Sequence, residues 1–355
     1  MHINELETPT LLVEHTVLEA NVQRMANYCK QHEINLRVHV KSHKSPMIAY
    51  KQMDAGACGI VCQKVSEAEV FADTGFHDIL IPYNIVGQEK RDRLMLLAER
   101  ISISVAADSL IVAEGISQAA KNAGCQVPIL IEMDTGGKRC GTQTPQATVE
   151  FGKQIVDLPH VTLAGVMTFP TPPSCRPYLL ETLDLFERAG IPVPIVSGGG
   201  TPNAFQTHEI PEITELRVGT YVFYDLAHNY WGVCGLTDCA LTILTTVVST
   251  PTPDRVILDT GAKTLTRNHR TRPDSPQHQA YGVIKGCPEA LLTNLSEEHG
   301  HLNTANTTRR FKVGEKVQVI PVDSWAVVSI NDTFALVQED RVLEILPILA
   351  RGWTK

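Results

Sequence analysis

A short stretch near the amino terminus places three basic side chains at alternate positions. It reads Leu36-Arg37-Val38-His39-Val40-Lys41-Ser42-His43-Lys44. Alternation at every second residue predicts a strand, with Arg37, His39 and Lys41 on one of its faces. In a parallel barrel the branched face would pack on the surrounding helices, and the basic face would point into the barrel, where Val, Ile and Leu are usual. A cation in such a place needs a function.

Lys41 is the candidate nucleophile of this strand. Burial and neighbouring positive charge both lower the pKa of a lysine, and an unprotonated lysine amine can form an imine with an aldehyde cofactor. The alternative is a solvated basic strand whose three side chains all face water, as charged side chains mostly do.

Two glycine-containing turns follow later apolar strands. One reads Ser197-Gly198-Gly199-Gly200-Thr201, and the other reads Arg217-Val218-Gly219-Thr220-Tyr221. Glycines let backbone N–H groups approach an anion, and the loops after late barrel strands commonly bind phosphate. A flexible loop is the alternative for either turn alone. The pair, together with an inward lysine on an early strand, favours a phosphate site.

Two further segments carry residue types that can do chemistry. Arg139 follows the strand that ends at Asp134, and its charge can hold a phenolate or a carboxylate. Glu297, Glu298 and His299 have the side chains of a metal or acid–base site. A surface arginine and a charged turn are the alternatives for these two segments.

The order of the predicted elements indicates how these groups are positioned. Up to about residue 235, strands and helices alternate through about eight units joined by short loops. That count predicts a TIM (β/α)8 barrel, and an open doubly wound sheet is the alternative. The barrel is favoured because strand after strand ends in polar or glycine-rich residues, which is where barrels build their sites.

Beyond about residue 235 the predicted strands follow one another without long helices. We therefore expect an α/β barrel domain over residues 1–235 and a mainly β C-terminal domain over residues 236–355, with residues 1–15 packing on the β domain. Residues 325–330 are predicted to form a strand, and residues 263–279, rich in Arg, His, Pro and Asp, an exposed loop.

Composition limits the classes of function. The chain has 355 residues, a formal net charge of -8 and a pI near 5.9. This balance argues against a nucleic-acid partner, which would need a basic face. The chain lacks a run of about 18 apolar residues and a basic, apolar leader, so we expect a cytoplasmic protein with no membrane partner. The nine cysteines lack the paired spacing of a disulfide framework or zinc ribbon.

The Lys41 segment, the two glycine-containing turns and the segments around Arg139 and His299 resemble those of the D-threonine aldolase and eukaryotic-type D-serine dehydratase family. Thr8-Pro9 and Asp259-Thr260-Gly261-Ala262-Lys263 share this resemblance. The resemblance extends over nearly the whole chain. It implies a fold type III enzyme with an alanine-racemase-like barrel, a β domain and pyridoxal 5'-phosphate as cofactor. It also implies a homodimer whose substrate is a small D-amino acid, often with a β-hydroxyl group.

The resemblance implies a role for each matching residue. Lys41 would carry the cofactor as an imine and act as the base, and Arg139 would face the phenolic oxygen of the cofactor. The phosphate would be held by Ser197, Gly199, Thr201, Gly219 and Thr220. The other implied cofactor-binding residues are His39, Phe169, Gly200 and Tyr221.

The chain departs from the family where a divalent metal is usually bound. Family members typically carry a His, and two residues later a Cys or Asp, after a Pro-Asn pair, whereas this chain reads Pro321-Val322-Asp323-Ser324-Trp325. Asp323 can still coordinate a hard cation, but Trp325 has no lone pair to offer. Asp323 is therefore the one candidate metal ligand of this motif, and whether Mn, Zn or Mg is bound stays open.

The sequence thus predicts a pyridoxal-phosphate-dependent lyase acting on a β-hydroxy-D-amino acid, by retro-aldol cleavage or by loss of water and ammonia. Without the usual metal, His299, Asp323 or a bound water is the candidate base for the β-hydroxyl proton. One alternative is a metal-independent amino-acid racemase or epimerase, which needs only proton exchange at Cα. The other is a pyridoxal-phosphate-binding protein without catalysis.

Overall fold

The computed structural model describes residues 1–272 and 275–355 of the chain. The chain divides into two compact units. The barrel unit comprises Arg24–Lys41, Pro46–Gly219 and Trp353–Lys355. The β unit comprises Met1–Gln23, Ser42–Ser45 and Thr220–Gly352. The predicted domain boundary at residue 235 stays a prediction.

The first regular elements are strand β1 (Thr10–Glu14) and helix α1 (His15–Gln31). The eight strands of the barrel unit then follow in chain order, all parallel to their neighbours, and close into a barrel. They are β2 (Asn35–His39), β3 (Gly59–Val61), β4 (Asp78–Asn84), β5 (Ser102–Ala107), β6 (Val127–Met133), β7 (Val161–Thr168), β8 (Ile195–Gly199) and β9 (Glu215–Val218). Pairing of β9 with β2 completes the closure. The predicted barrel is confirmed, and the open sheet is excluded.

Helices separate most of these strands. They are α2 (Pro46–Asp54), α3 (Val65–Asp73), α4 (Gln88–Ala98), α5 (Leu110–Ala123), α6 (Pro145–Asp157) and α7 (Arg176–Arg188). Helix α6 shows why the chain turns helical at a given point: Pro145 occupies its first turn, and the Thr144 hydroxyl accepts the N–H of Ala147 at 3.1 Å. Between β8 and β9 the connection is a 3-10 segment, Thr201–Glu209, rather than an α-helix.

The barrel interior is apolar on one side and charged on the other. Side chains from β3 to β7 form a buried cluster of Val61, Leu80, Ala106, Leu130 and Met167. The flanking strands β2 and β9 instead alternate branched residues with Arg37, His39, Glu215 and Arg217. The chemistry of the barrel unit is therefore concentrated where its first and last strands meet.

The β unit is built on a nine-stranded sheet. Its further elements are α8 (Leu226–Tyr230), β10 (Leu241–Thr252), β11 (Arg255–Leu258), α9 (Ala262–Leu265), β12 (Arg270–Arg272), β13 (Ser275–Ala280), β14 (Gly282–Ile284), β15 (Cys287–Leu295), β16 (Gly300–Asn303), β17 (Lys316–Pro321), α10 (Ser324–Ile330), β18 (Thr333–Gln338) and β19 (Arg341–Pro347). The sheet order is β11-β16-β15-β14-β17-β10-β1-β18-β19, with β12 and β13 as a separate pair. The predicted mainly β second unit is confirmed.

Two local predictions in the β unit are wrong. Residues 325–330 belong to helix α10, not to a strand, although the segment contains β-branched residues. Burial of Ala326, Val327 and Val328 along the helix outweighs the modest helix propensity of the two valines. The predicted loop at residues 263–279 contains most of α9 and most of the β12–β13 pair, while Pro273 and Asp274 lie outside the described residues. None of the helices described is long and apolar enough to span a membrane.

Candidate active site

Lys41 lies just beyond the carboxyl end of β2, in a 3-10 turn formed by Val40–Ser42. Its Nζ donates a hydrogen bond to Oε1 of Gln63 at 3.1 Å, and the side chain is exposed. The prediction that this amine is buried is wrong, because position 41 is already past the last residue of the strand. The carboxyl end of the strands is the catalytic end of such barrels, so a ligand can reach the amine there.

His39 is the last residue of β2, and its Nδ1 atom is buried without a hydrogen-bond partner among the residues described. Burial lowers the pKa of His39 well below its usual value, and the charges of Lys41 and Arg217 lower it further. The imidazole is therefore neutral at physiological pH. A buried ring nitrogen without a partner is a position where a bound ligand can supply one.

Arg217 on β9 was not predicted as a site residue. Its side chain is 5% exposed, and Nη2 donates to the carbonyl oxygen of Thr168 at 2.8 Å. Nη1 is buried and has no partner in the described part of the chain. Burial lowers the pKa of Arg217 to about 10, against the opposing effect of Glu215 and Glu132. The guanidinium stays charged at neutral pH and keeps a free donor.

A network of charges fixes the neighbouring wall of the barrel. Arg37 donates from Nε to Glu215 and from Nη1 to Asp78, each at 2.7 Å. Burial would lower the pKa of Arg37, but the two carboxylates more than compensate and raise it. The Ser197 hydroxyl is fully buried and donates to the other oxygen of Glu215 at 2.6 Å. Ser197 therefore orients Glu215.

The triple-glycine turn packs against the end of β9. A Cβ on Gly199 would lie 2.8 Å from the carbonyl oxygen of Arg217, and Gly200 has φ +122, a conformation that disfavours other residues. The N–H of Gly199 donates to the Thr171 hydroxyl at 2.8 Å, and that of Gly200 to the Arg217 carbonyl at 3.2 Å. These two N–H groups are thus engaged within the protein, contrary to the expectation that they face an anion.

The groups left for an anion follow the turn. Thr201 is buried and begins the 3-10 segment Thr201–Glu209. Pro202 has no N–H and the N–H of Asn203 donates to the Gly200 carbonyl oxygen at 3.3 Å, so the Thr201 N–H is the donor at the start of this segment that is left for an anion. Gly219 ends the buried run of β9. In the β unit, Thr220 and the fully buried Tyr221 begin the turn Thr220–Val222, and the hydroxyls of Thr220 and Ser42 lie 3.4 Å apart.

Arg139 and Phe169 are neighbours on the barrel unit. Nη2 of Arg139 donates to the buried carboxylate of Glu132 at 3.1 Å, and its Cζ lies 5.1 Å from the ring centroid of Phe169. Burial opposes the charge of Arg139, but Glu132 raises its pKa above the usual value. Both Arg139 and Phe169 are exposed, so this pair can contact a ligand.

The β unit contains the remaining predicted site residues. His299 is exposed in the turn between β15 and β16, and its carbonyl oxygen accepts the N–H of Ser296 at 2.9 Å. Asp323 is 5% exposed and precedes α10. Burial raises the pKa of Asp323, and Arg270, bonded to its Oδ1 at 3.3 Å, opposes that shift.

The residues around Asp323 do not fit a divalent metal. Trp325 supplies no metal ligand, and Arg270 already occupies one oxygen of Asp323. Over residues 1–272 and 275–355, no group of three or more His, Cys, Asp or Glu side chains is placed to hold a metal ion. A divalent cation usually takes several oxygen, nitrogen or sulfur ligands, so one paired carboxylate is a poor site.

Comparison with known protein families agrees with this fold. Residues 13–227 match the model described as "Alanine racemase, N-terminal domain", and residues 240–337 match the one described as "Putative serine dehydratase domain". The first match covers more than half of the chain, so the chain belongs to the alanine racemase N-terminal domain family.

Individual relatives show which enzymes this chain resembles. The chain is similar to the D-threonine aldolase of Arthrobacter sp, at 32% identity over 99% of this chain and 94% of that enzyme. It is also similar to the crystal structure of D-threonine aldolase from Filomicrobium marinum, at 28% identity and a TM-score of 0.87, with 99% of this chain and 98% of that chain covered.

A second similar structure is of an enzyme in its metal-free form. It is a cysteine-to-alanine mutant of D-threo-3-hydroxyaspartate dehydratase in the metal-free form, at 27% identity and a TM-score of 0.88, with 98% of each chain covered. Together these comparisons confirm the predicted family and its class, the pyridoxal-phosphate-dependent lyases. The assignment of individual site residues stays a prediction.

Proposed function

We propose that this chain is a pyridoxal-phosphate-dependent lyase that acts on a D-amino acid with a β-hydroxyl group. The supporting observation lies within the barrel unit: Arg217 and His39 each keep a buried nitrogen without a partner in the described structure, and the accessible amine of Lys41 belongs to the turn that directly follows the strand of His39. Buried polar atoms normally have partners, so the two nitrogens indicate a ligand with hydrogen-bonding atoms. Pyridoxal phosphate fits these residues.

The cofactor, when bound, supplies a ring that withdraws electrons from the substrate Cα. Arg217 would hold the ring nitrogen through its free Nη1. A guanidinium only donates hydrogen bonds, so that nitrogen would stay unprotonated. The unprotonated ring is a weaker electron acceptor than the protonated one, and the protein must then choose which bond breaks by orienting the substrate.

Lys41 would hold the cofactor at Nζ. When it is not holding the cofactor, the Lys41 amine would be available as a base. The neutral His39 beside it adds no positive charge, and its imidazole can either donate or accept a hydrogen bond. Because Lys41 is exposed at the barrel mouth, the substrate amine can reach its Nζ from outside.

The phosphate would be held where the glycine turn ends. Thr201, through its hydroxyl and its own N–H, is the proposed donor of the barrel unit, with Gly219 after β9. Thr220 is proposed from the family resemblance. Gly199 and Gly200 contribute by leaving space, since their N–H groups are engaged elsewhere. We propose that Ser197 acts at this site by orienting Glu215, and that the fully buried Tyr221 supports the second turn structurally.

Arg139 would face the phenolic oxygen of the cofactor, with Phe169 packed against its guanidinium. The exposed cation can donate charge-assisted hydrogen bonds to that oxygen while Glu132 keeps it oriented. For the β-hydroxyl proton, His299 and Asp323 stay the candidate bases proposed from the sequence. Asp323 also keeps Oδ2 buried without a partner in the described structure.

A racemase or epimerase is the second candidate. The side chains around Asp323 do not fit the metal ion that would bind a substrate hydroxyl. Proton exchange at Cα does not require a metal bound to that hydroxyl. The two candidates give different products, so one experiment separates them. Incorporation of deuterium at Cα without carbon–carbon cleavage or loss of ammonia would identify the racemase.

The test is a panel of D-amino acids incubated with the holoenzyme, with and without Mn²⁺, Zn²⁺ or EDTA, and analysed by mass spectrometry. An aldehyde with glycine identifies the aldolase, and a keto acid with ammonia identifies the dehydratase. Bound cofactor without turnover of any D-amino acid would refute the proposed lyase and support the non-catalytic alternative. A homodimer and a cytoplasmic location are proposed with this function, the latter from the cysteine pattern.

A further inference from the structure

The motif that holds a metal in the family is closed by an ion pair in this chain. Oδ1 of Asp323 accepts a hydrogen bond from Nη2 of Arg270 at 3.3 Å. Asp323 is 4% exposed at its side chain and Arg270 is 38% exposed, so the carboxylate is buried and the guanidinium lies at the edge. A buried carboxylate is stable there because a cation accompanies it.

Further contacts fix the guanidinium of Arg270. Its Nη1 donates to the carbonyl oxygen of His269 at 3.0 Å, and its Cζ lies 5.9 Å from the ring centroid of Trp231. The ring of Trp231 packs edge-on against His228 at 5.2 Å. Three kinds of contact therefore hold the charge in place: an ion pair, a hydrogen bond and a cation–π interaction.

The nearby carboxylate is also engaged. Oδ1 of Asp225 lies 2.6 Å from Nδ1 of His228, and Oδ2 accepts the backbone N–H of Ser324 at 3.0 Å and its hydroxyl at 3.2 Å. A divalent ion approaching Asp323 would therefore find both carboxylates bonded to other donors. The guanidinium of Arg270, whose Nη2 lies 3.3 Å from Oδ1 of Asp323, would also repel the ion.

We propose that the guanidinium of Arg270 replaces a divalent metal ion at this position, as a permanent cation held by Asp323. The β unit then binds no divalent metal there, and the site acts on a ligand through hydrogen bonds instead of coordination. The donor is the guanidinium, and the acceptor is Oδ2 of Asp323, which is buried without a partner in the described residues.

Metal content tests the proposal without reference to any reaction. The holoenzyme and its Asp323→Ala variant are incubated with excess Mn²⁺ or Zn²⁺, desalted and analysed by inductively coupled plasma mass spectrometry. We expect the same metal content in both proteins. A full equivalent in the unmodified protein that Asp323→Ala removes would overturn the proposal, whereas metal bound equally by both proteins lies elsewhere and agrees with it.

A gain of metal binding tests the part assigned to Arg270. The variant Asp323→His with Trp325→Cys supplies an imidazole and a thiolate, both of which bind Zn²⁺, and adding Arg270→Met removes the cation. We expect the triple variant to bind Zn²⁺ at least tenfold more tightly than the double variant, by calorimetry, since the guanidinium repels the ion only in the double variant. Equal affinities would contradict the role of Arg270. Melting curves check that both variants fold, and the metal content of the unmodified protein decides the proposal if they do not.

Discussion

Arg37 and Arg217 are register partners on the adjacent strands β2 and β9, yet their surroundings differ. Arg37 is bonded to Glu215 and Asp78, whereas Arg217 keeps Nη1 without a partner in the described structure. The two pKa values follow from this. Carboxylates outweigh burial and raise the pKa of Arg37, while burial dominates and lowers that of Arg217 to about 10. One arginine supports the barrel wall, and the other is available to a ligand.

Arg217→Met should therefore weaken the binding of pyridoxal phosphate. A hydrogen bond from a charged donor contributes about 1.5–3 kcal/mol, which corresponds to a loss of about 10- to 100-fold in affinity. Fluorescence titration of the apoenzyme with the cofactor measures it. Arg37→Met is the matched control, and we expect it mainly to lower Tm, because it leaves Glu215 and Asp78 without their cation. Unchanged cofactor affinity in Arg217→Met would remove Arg217 from the site.

Substitution of Gly200 in the triple-glycine turn can be compared with the same substitution at Gly56. Gly200 and Gly56 have similar positive φ values, +122 and +110. Alanine at either position should destabilise the fold by about 1–3 kcal/mol through backbone strain. Gly200→Ala should also weaken cofactor binding, because its Cβ would lie 3.4 Å from the ring of Phe169 at the proposed site, while the surroundings of Gly56 are open.

Denaturant melts of the two apoenzymes and cofactor titrations separate the effects of strain and of the site. Equal loss of cofactor affinity in Gly56→Ala and Gly200→Ala would mean that strain alone accounts for it. The glycine turn would then have no specific part in binding.

The pKa of His39 predicts how stability changes with pH. Its pKa in the folded state lies well below the value of about 6.5 expected for the unfolded chain. As the pH falls below that unfolded value, the unfolded state takes up a proton that the folded state does not. The free energy of unfolding of the apoenzyme should therefore fall, by up to about 1.4 kcal/mol per pH unit from this residue.

His39→Gln removes the titrating group and should flatten this dependence between about pH 6.5 and pH 5. Urea denaturation of both apoenzymes at a series of pH values measures the two slopes. Parallel slopes would show that His39 is protonated to the same extent in the folded and unfolded states, and that its ring is not enclosed as the structure indicates.

The barrel could be predicted because its strands are regular and separated by helices of ordinary length. The alternation in residues 36–41 placed Arg37 and His39 on the inner face, and the ion pairs of Arg37 with Glu215 and Asp78 agree with that. The same alternation is present in Glu215-Leu216-Arg217-Val218. That signal could have identified Arg217, but the segment was interpreted only through the glycine that follows it.

Other features depended on contacts that a single sequence does not reveal. Burial of Lys41 was expected from strand periodicity, but the strand ends at His39, so the rule no longer applies two residues later. The N–H groups of Gly199 and Gly200 were expected to face an anion, but the Thr171 hydroxyl and the Arg217 carbonyl accept them. The pairing of Asp323 with Arg270 joins residues 53 positions apart, which no local pattern predicts.

Reduction of the holoenzyme with borohydride, followed by digestion and mass spectrometry, tests the central claim most directly, since it fixes the cofactor to the lysine that carries it. We predict that the label is found on Lys41 and that Lys41→Ala abolishes both the label and the visible absorbance of the bound cofactor. A label on Lys44, or absorbance that persists in Lys41→Ala, would contradict the account.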